Sequence, residues 1–124
     1  MPKKRVFISF QFDTDKALRD LLVGQSRNST TPFEVIDNSL HEEQPEKGWE
    51  KKAATLIQQA DVMIVLVGHT TWQAPGVLKE IAIARDLGKK IVQLIGYKEG
   101  KHRHVPGGGR LYRWTWENLT KILQ

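Results

Sequence analysis

The sequence predicts an α/β fold in which a parallel sheet is covered by helices on both faces. Two observations carry this prediction. Short β-branched segments alternate with segments of helical periodicity along the 124 residues, and such crossovers form right-handed βαβ units with parallel strands. Residues 62–67 (VMIVLV) form an uninterrupted apolar run, which is typical of a central strand buried on both faces. Because this most apolar strand is the third in sequence, we expect a doubly wound, three-layer flavodoxin-like fold with strand order 2-1-3-4-5.

The first half of the chain contains two predicted strands and two predicted helices. Residues 6–10 (VFISF) are β-branched and aromatic, as in a buried strand. Asp13 and the acidic first turn after it predict the N-cap of a helix. Residues 33–36 form a shorter strand with a polar residue inside it, as expected at a sheet edge. The loop 37–47 follows, and the next helix has an apolar stripe of Trp49, Ala53, Leu56, Ile57 and Ala60.

The second half continues the alternation. Pro75 begins a helix and Gly88 ends it, in keeping with the usual positions of these residue types. Residues 91–95 are the fourth strand, 96–110 a glycine-rich basic loop, and 111–114 a short fifth strand. Thr115 is predicted to cap the last helix. Two tryptophans are predicted core anchors: Trp114 and Trp116.

Composition excludes several classes of protein. The chain has the length of one domain, so residues 1–124 are predicted as a single unit. Without cysteine there are no disulfides, thiolate metal sites or cysteine nucleophiles. No apolar stretch approaches the roughly 18 residues of a membrane span, and no signal peptide is evident, so we expect a cytoplasmic protein with no membrane partner. The net charge of +5 is spread along the chain, and nucleic acid is not an expected partner.

In an open doubly wound sheet, ligands bind beyond the carboxyl ends of the strands, at the switch point between the first and third strands. Glu80 lies about five residues past Pro75, hence roughly 7–8 Å along its helix and within side-chain reach of that crevice. A carboxylate one turn inside such a helix suits a catalytic role.

Two common nucleotide-binding motifs are missing from the sequence. The chain lacks the P-loop spacing GxxxxGK[ST] and a GxGxxG turn after the first strand, so neither a P-loop nor a Rossmann dinucleotide site is expected.

Other polar and aromatic residues are expected at the same edge. Those that leave the first strand or the second, or precede the helix of Glu80, are candidate substrate contacts: Phe10, Gln11, Phe12, Asp13, Asp37, Asn38, Ser39 and Trp72. Simpler roles stay open for several of them, namely core packing for one of the phenylalanines and for Trp72, helix capping for Asp13, and turn chemistry for residues 37–39. His102 and His104 have no third partner in the sequence, so no metal site is predicted.

Several segments also resemble a known family. Residues 4–10 (KRVFISF) resemble the opening strand of TIR domains, and residues 77–81 (VLKEI) resemble the helix that holds their catalytic glutamate. LLVGQSRN, PFEVIDNSL, ADVMIVLVG, APGVLKEI and YRWTWENL look like landmarks of the small bacterial and archaeal TIR-like family that includes the signal-producing TIR proteins of Thoeris antiphage defence. The resemblance covers nearly the whole chain.

The resemblance implies cleavage of NAD⁺ between ribose and nicotinamide, with Glu80 stabilising the positive charge that develops on the ribose. It implies an ADP-ribose-derived nucleotide product, such as a cyclic ADP-ribose isomer, that activates a separate effector protein. NAD⁺ is then the substrate, and no cofactor is expected. Self-association or a phage-derived trigger is expected to control activity. The family often has an aromatic residue four positions before the glutamate, where this chain has Gly76; Trp72 is the nearest aromatic.

Two rival hypotheses remain at this point. In the first, the chain is a non-enzymatic TIR-type interaction module. In the second, it is another N-glycosidic enzyme, similar to a nucleoside deoxyribosyltransferase, in which Glu80 is the nucleophile. The first predicts no turnover at any protein concentration, and the second predicts cleavage of deoxynucleosides without loss of NAD⁺.

Overall fold

A computed structural model describes residues 4–27, 33–36, 49–96, 105 and 107–123. These residues form five strands and four α-helices, which alternate except that the fourth and fifth strands follow one another in the order of described elements. In chain order the elements are β1 (Lys4–Ser9), α1 (Phe12–Ser26), β2 (Phe33–Val35), α2 (Trp49–Gln59), β3 (Val62–Val67), α3 (Pro75–Asp86), β4 (Lys90–Ile95), β5 (Arg110–Arg113) and α4 (Trp116–Ile122). A short 3-10 helix, Thr71–Gln73, precedes α3 and was not expected from the sequence.

The five strands form one parallel sheet in the order β2-β1-β3-β4-β5, which confirms the predicted flavodoxin-like order. Strand β3 is buried along its whole length, as its apolar sequence requires. In register, Ser9 at the end of β1 lies opposite Val65 of β3. Strand β2 is at one edge, which explains why its short sequence tolerates the exposed Glu34.

Successive side chains of each strand pack on opposite faces of the sheet, so the core has two halves. Helices α1 and α4 cover one face, where Leu22 and Leu119 pack with Ile8, Ile64 and Leu94 of the strands. Helices α2 and α3 cover the other face through four buried residues, Ala53, Ile57, Val77 and Ile81, which pack with Phe7 and Val65 of the sheet. The three-layer arrangement expected from the sequence is therefore present. Within the described residues, no helix combines the length and apolarity that a membrane span requires.

Two details of the helices differ from expectation. Helix α1 begins at Phe12, and its N-cap is Gln11 in an extended conformation without a side-chain capping hydrogen bond, so the prediction of Asp13 as N-cap was wrong. The reason is that β1 ends at Ser9 and Phe10 is buried in the core, so the chain enters the helix only two residues later. By contrast, Thr115 caps α4 as predicted, since its side chain accepts a hydrogen bond from the Asn118 N–H.

The two tryptophans near the C-terminus have different environments. Trp114 is half-buried against the core beneath α1 and α4, and its indole N–H donates to Gln25 Oε1 at 2.9 Å. Trp116 is 44% exposed, so its predicted role as a core anchor was wrong. The buried contacts of the seven-residue helix α4 come instead from Leu119, Ile122 and the following Leu123.

Candidate functional site

The switch point of the sheet lies between β1 and β3. From β1 the chain turns into α1 on one face of the sheet, whereas from β3 it turns into α3 on the other face. The two connections therefore leave the sheet on opposite faces at the carboxyl ends of these two strands, which is the place where sheets of this type bind ligands in a crevice. The segment after β1 is short (Phe10 and Gln11), and the segment after β3 extends through Thr71–Gln73 to Pro75.

Glu80 belongs to the buried stripe of α3. It is the sixth residue of the helix, counted from Pro75. Val77, Glu80, Ile81 and Ala84 share the face that packs on the sheet, since residues three and four apart lie on one side of a helix. Only 1% of Glu80 is exposed, so a carboxyl group occupies a position where the pattern of the helix would otherwise place an apolar residue.

Ser9 is a partner of this carboxyl group. Its Oγ donates a hydrogen bond to Glu80 Oε1 at 2.8 Å, and Ser9 is itself fully buried. Burying a carboxyl group is costly unless hydrogen bonds replace those it made with water, and Ser9 supplies one of them. The contact joins the last residue of β1 to α3 directly at the carboxyl edge of the sheet. A carboxyl group at this position, when ionised, is suited to stabilising a positive charge that develops on a bound substrate.

A second contact joins the loops on either side of the crevice. Thr70 Oγ1 donates to Gln11 Oε1 at 2.7 Å, which connects the segment after β1 to the segment after β3. Behind it, the Gly68 N–H donates to Thr71 Oγ1 at 2.7 Å, and Thr71 is fully buried. The hydroxyl of Thr71 thus holds the turn that leads from β3 into the 3-10 helix, and this turn presents Thr70 to Gln11.

The other candidate contacts are distributed around this edge. Trp72 lies in the 3-10 helix before α3, half-buried against the core on the α2–α3 face. Phe10 is buried in the core on the α1–α4 face, the opposite side of the sheet from Glu80. Phe12 and Asp13 are the first two residues of α1. Asp37, Asn38 and Ser39, as well as His102 and His104, lie outside the described residues.

Sequence reasoning selected Glu80 and Gln11 but missed Ser9 and Thr70. The signal for Ser9 was available, because it is the only polar residue in the otherwise apolar segment 6–10. Its hydroxyl has to be satisfied wherever such a strand is buried. Thr70 carried no comparable signal, since a threonine in a loop is unremarkable. In the part of the chain that the structure describes, no three His, Asp or Glu side chains are grouped as metal ligands.

Together, the sheet order and the buried carboxyl group at the switch point define a flavodoxin-like α/β domain with a candidate acidic centre. The chain belongs to the family described as Thoeris protein ThsB, TIR-like domain, whose model matches residues 7–98, about three quarters of the sequence. The matched segment contains Ser9, Gln11, Thr70 and Glu80. The resemblance to TIR-like proteins of Thoeris systems is thereby confirmed.

A solved structure is also similar over nearly the full length. It is that of a CMP N-glycosidase, BcmB, from Clostridium botulinum, with 25% sequence identity and a TM-score of 0.60. The alignment covers 96% of this chain and 97% of the other. Comparison with the curated proteins gave no match. The similarity therefore extends beyond the family match to an enzyme that breaks an N-glycosidic bond.

Proposed function

We propose that this chain is an N-glycosidase that cleaves NAD⁺ between nicotinamide and ribose and so produces an ADP-ribose-derived nucleotide signal in antiphage defence. The observation that carries the proposal is the buried Glu80 carboxyl group at the switch point, hydrogen-bonded by Ser9. Membership of the ThsB TIR-like family supports the role in antiphage defence, and similarity to an N-glycosidase supports cleavage of a ribosyl C–N bond.

The chemistry fits a single carboxylate. When the bond between ribose C1′ and the nicotinamide nitrogen breaks, the electron pair leaves with the nicotinamide, which becomes neutral without taking a proton. The ribose then develops oxocarbenium character, as sugars do during glycoside hydrolysis, and a nearby carboxylate lowers its energy. Attack at C1′ by water gives ADP-ribose and releases one proton of that water to the solvent, whereas attack by a nucleophile of the same molecule gives a cyclic product. Glu80 is the residue that we assign to charge stabilisation.

A second candidate is cleavage of a nucleoside 5′-monophosphate, and similarity to the CMP N-glycosidase favours it. The two substrates share the ribosyl C1′–N bond but differ in the leaving group. Cytosine leaves from a neutral ring and needs a proton, so CMP cleavage requires a general acid in addition to Glu80. Nicotinamide leaves from a cationic ring and needs no proton, so NAD⁺ cleavage requires no general acid. For this reason we prefer NAD⁺ as the substrate.

Incubation of the purified protein with NAD⁺, with CMP and with a deoxynucleoside, followed by mass spectrometry, separates the hypotheses. Nicotinamide release with an ADP-ribose-derived product is the result we expect. Cytosine release with intact NAD⁺ would establish the second candidate, and release of base from the deoxynucleoside alone would establish a transferase-like enzyme. An absence of turnover with every substrate, at every protein concentration and with phage-derived components added, would indicate an interaction module.

Control of the activity is proposed to come from contacts between copies of the chain or from an outside trigger, with a separate effector protein responding to the product in the cytoplasm. Specific activity should then rise with protein concentration across a hundredfold range while light scattering reports the growth of oligomers. A protein that stays monomeric with constant specific activity would contradict control by self-association.

The hydrogen bond between Thr70 and Gln11 gives a prediction about substrate binding. Thr70→Val keeps the shape of the side chain and removes the hydroxyl, so the loops on the two sides of the crevice lose their link. One hydrogen bond is worth about 0.5–1.5 kcal/mol, which corresponds to a KM for NAD⁺ raised about 2–10-fold with kcat little changed. Thr55→Val on α2, where the exposed Thr55 donates only to the Lys51 carbonyl, is the matched control. Equal KM values for the two variants would show that the link does not shape the crevice.

A further inference from the structure

Ser9 is an unusual residue for its position. It ends the strand β1, which pairs with β2 on one side and β3 on the other, and both of its neighbours, Ile8 and Phe10, are buried apolar residues. Ser9 is fully buried and lies opposite Val65 in register. A hydroxyl at such a site costs stability unless it is hydrogen-bonded, and an apolar residue would fill the same space at no such cost. Packing alone therefore does not explain why a serine occupies this position.

The contact with Glu80 supplies that explanation. The Glu80 carboxyl group sits at the end of a flexible side chain, and the torsion that orients its plane has a broad energy well. Packing of Val77, Ile81 and Ala84 fixes α3 against the sheet, but packing alone does not fix this plane. Ser9 Oγ, at 2.8 Å from Oε1, anchors one oxygen to a central strand of the sheet. Ser9 pairs with Val65 of β3, the fully buried strand, whereas the pairing of β1 with β2 ends at Val6, so β3 holds the backbone of β1 at this point and makes it a rigid point of reference.

We propose that Ser9 is a positioning residue that holds the plane of the Glu80 carboxylate in the orientation needed to face the ribosyl C1′ atom. The inference rests on the proposed function of Glu80. Ser9 acts through Glu80, contacts no substrate atom and takes no proton during the reaction. Its effect falls on the reactive step, because a carboxylate that rotates away stabilises the developing charge less well while the substrate still binds.

The test compares three variants of the full chain. Ser9→Ala removes the hydroxyl and is expected to lower kcat for nicotinamide release about 10–100-fold, with KM within about twofold of wild type. Ser9→Thr keeps a hydroxyl at the same place and is expected to recover most of kcat. Ser26→Ala is the matched control, because Ser26 donates only to the Val23 carbonyl within α1, and it should behave as wild type. Thermal unfolding confirms that each variant is folded at the assay temperature.

Several results would overturn the proposal. Ser9→Ala with wild-type kcat would show that the hydrogen bond is not used, and a raised KM at unchanged kcat would assign Ser9 to substrate binding instead. If Ser9→Thr does not fold, Ser9→Cys, which keeps a weak donor of similar size, takes its place and should recover part of kcat. A folded Thr or Cys variant as slow as Ser9→Ala would also contradict positioning by the hydroxyl.

A failure of the proposed function is distinguishable from a failure of this inference. If wild type cleaves neither NAD⁺ nor CMP, the function is wrong, and crystal structures of wild type and Ser9→Ala then decide the positioning role alone. A Glu80 carboxylate that rotates in Ser9→Ala supports it. An unchanged carboxylate orientation in Ser9→Ala overturns it.

Discussion

Glu80→Gln is expected to lower kcat for nicotinamide release by at least about 10²–10³-fold, the usual cost of removing one group that stabilises charge in a transition state. The amide has nearly the same shape as the carboxyl group, and its oxygen still accepts a hydrogen bond from Ser9 Oγ. What it lacks is the negative charge. The site is buried, and a low dielectric strengthens charge interactions. Removing the charge therefore lowers kcat more than it would at a site exposed to water.

The matched control is Glu117→Gln on α4. The Glu117 side chain is 81% exposed and lies 3.9 Å from Lys121, in a surface pair of the kind that contributes little to stability. This variant should retain wild-type turnover and unfold at the wild-type temperature. Initial rates by mass spectrometry and thermal unfolding by circular dichroism give both quantities. Wild-type turnover in a well-folded Glu80→Gln protein would end the catalytic assignment.

Gly109→Ala is expected to lower the free energy of unfolding by about 2–5 kcal/mol. Gly109 has a φ of +81°, in the left-handed region, and a Cβ there would collide with the main-chain carbonyl of Ile91 on β4. The strain of the backbone costs about 1–2 kcal/mol and the collision about 1–3 kcal/mol. The residue also accepts a hydrogen bond at its carbonyl from Gln93 Nε2 at 2.8 Å, so any shift of the chain weakens the entry to β5.

Gly88→Ala separates the two contributions. Gly88 has a φ of +69°, but a Cβ there would have no heavy atom within 4 Å among the described residues other than its chain neighbours. Only the backbone strain remains, so we expect a loss of about 1–2 kcal/mol. Urea unfolding of the two variants and of wild type measures the difference. Equal losses of unfolding free energy in the two variants would mean that β4 and β5 adjust to the extra methyl group. The close approach of Gly109 to the Ile91 carbonyl would then not be essential.

Much of the fold was predictable because local signals and tertiary structure agree. The apolar run of β3 predicted a central strand, and the alternation of strands and helices predicted the parallel sheet with its order. Pro75 and Thr115 marked the starts of α3 and α4 correctly, since their preferences depend on local backbone geometry. Signals that depend on the surroundings were less reliable. Asp13 was not the N-cap of α1, because the turn after β1 places the start of the helix earlier.

The candidate site was predictable only in part. The position of Glu80 along α3 follows from the rise of a helix, so its nearness to the carboxyl edge of the sheet could be calculated from the sequence. Its burial could not, because a glutamate on a helix is more often exposed and the rotation of α3 about its axis depends on packing. The roles of Asp37, Asn38 and Ser39 as ribose contacts stay predictions, as do those of Phe10, Gln11, Phe12, Asp13 and Trp72.

The sequence by itself determined the class of fold and the family resemblance, and it singled out Glu80 as the candidate acidic residue, since each of these inferences depends on residue types and their order along the chain. Only the tertiary structure decided which side chains meet. Ser9 and Glu80 are 71 residues apart, and Gln11 and Thr70 are 59 apart. Their contacts depend on the register of β1 against β3 and on how α3 packs on the sheet, both of which are set by the burial of many apolar side chains at once. No local pattern contains that information.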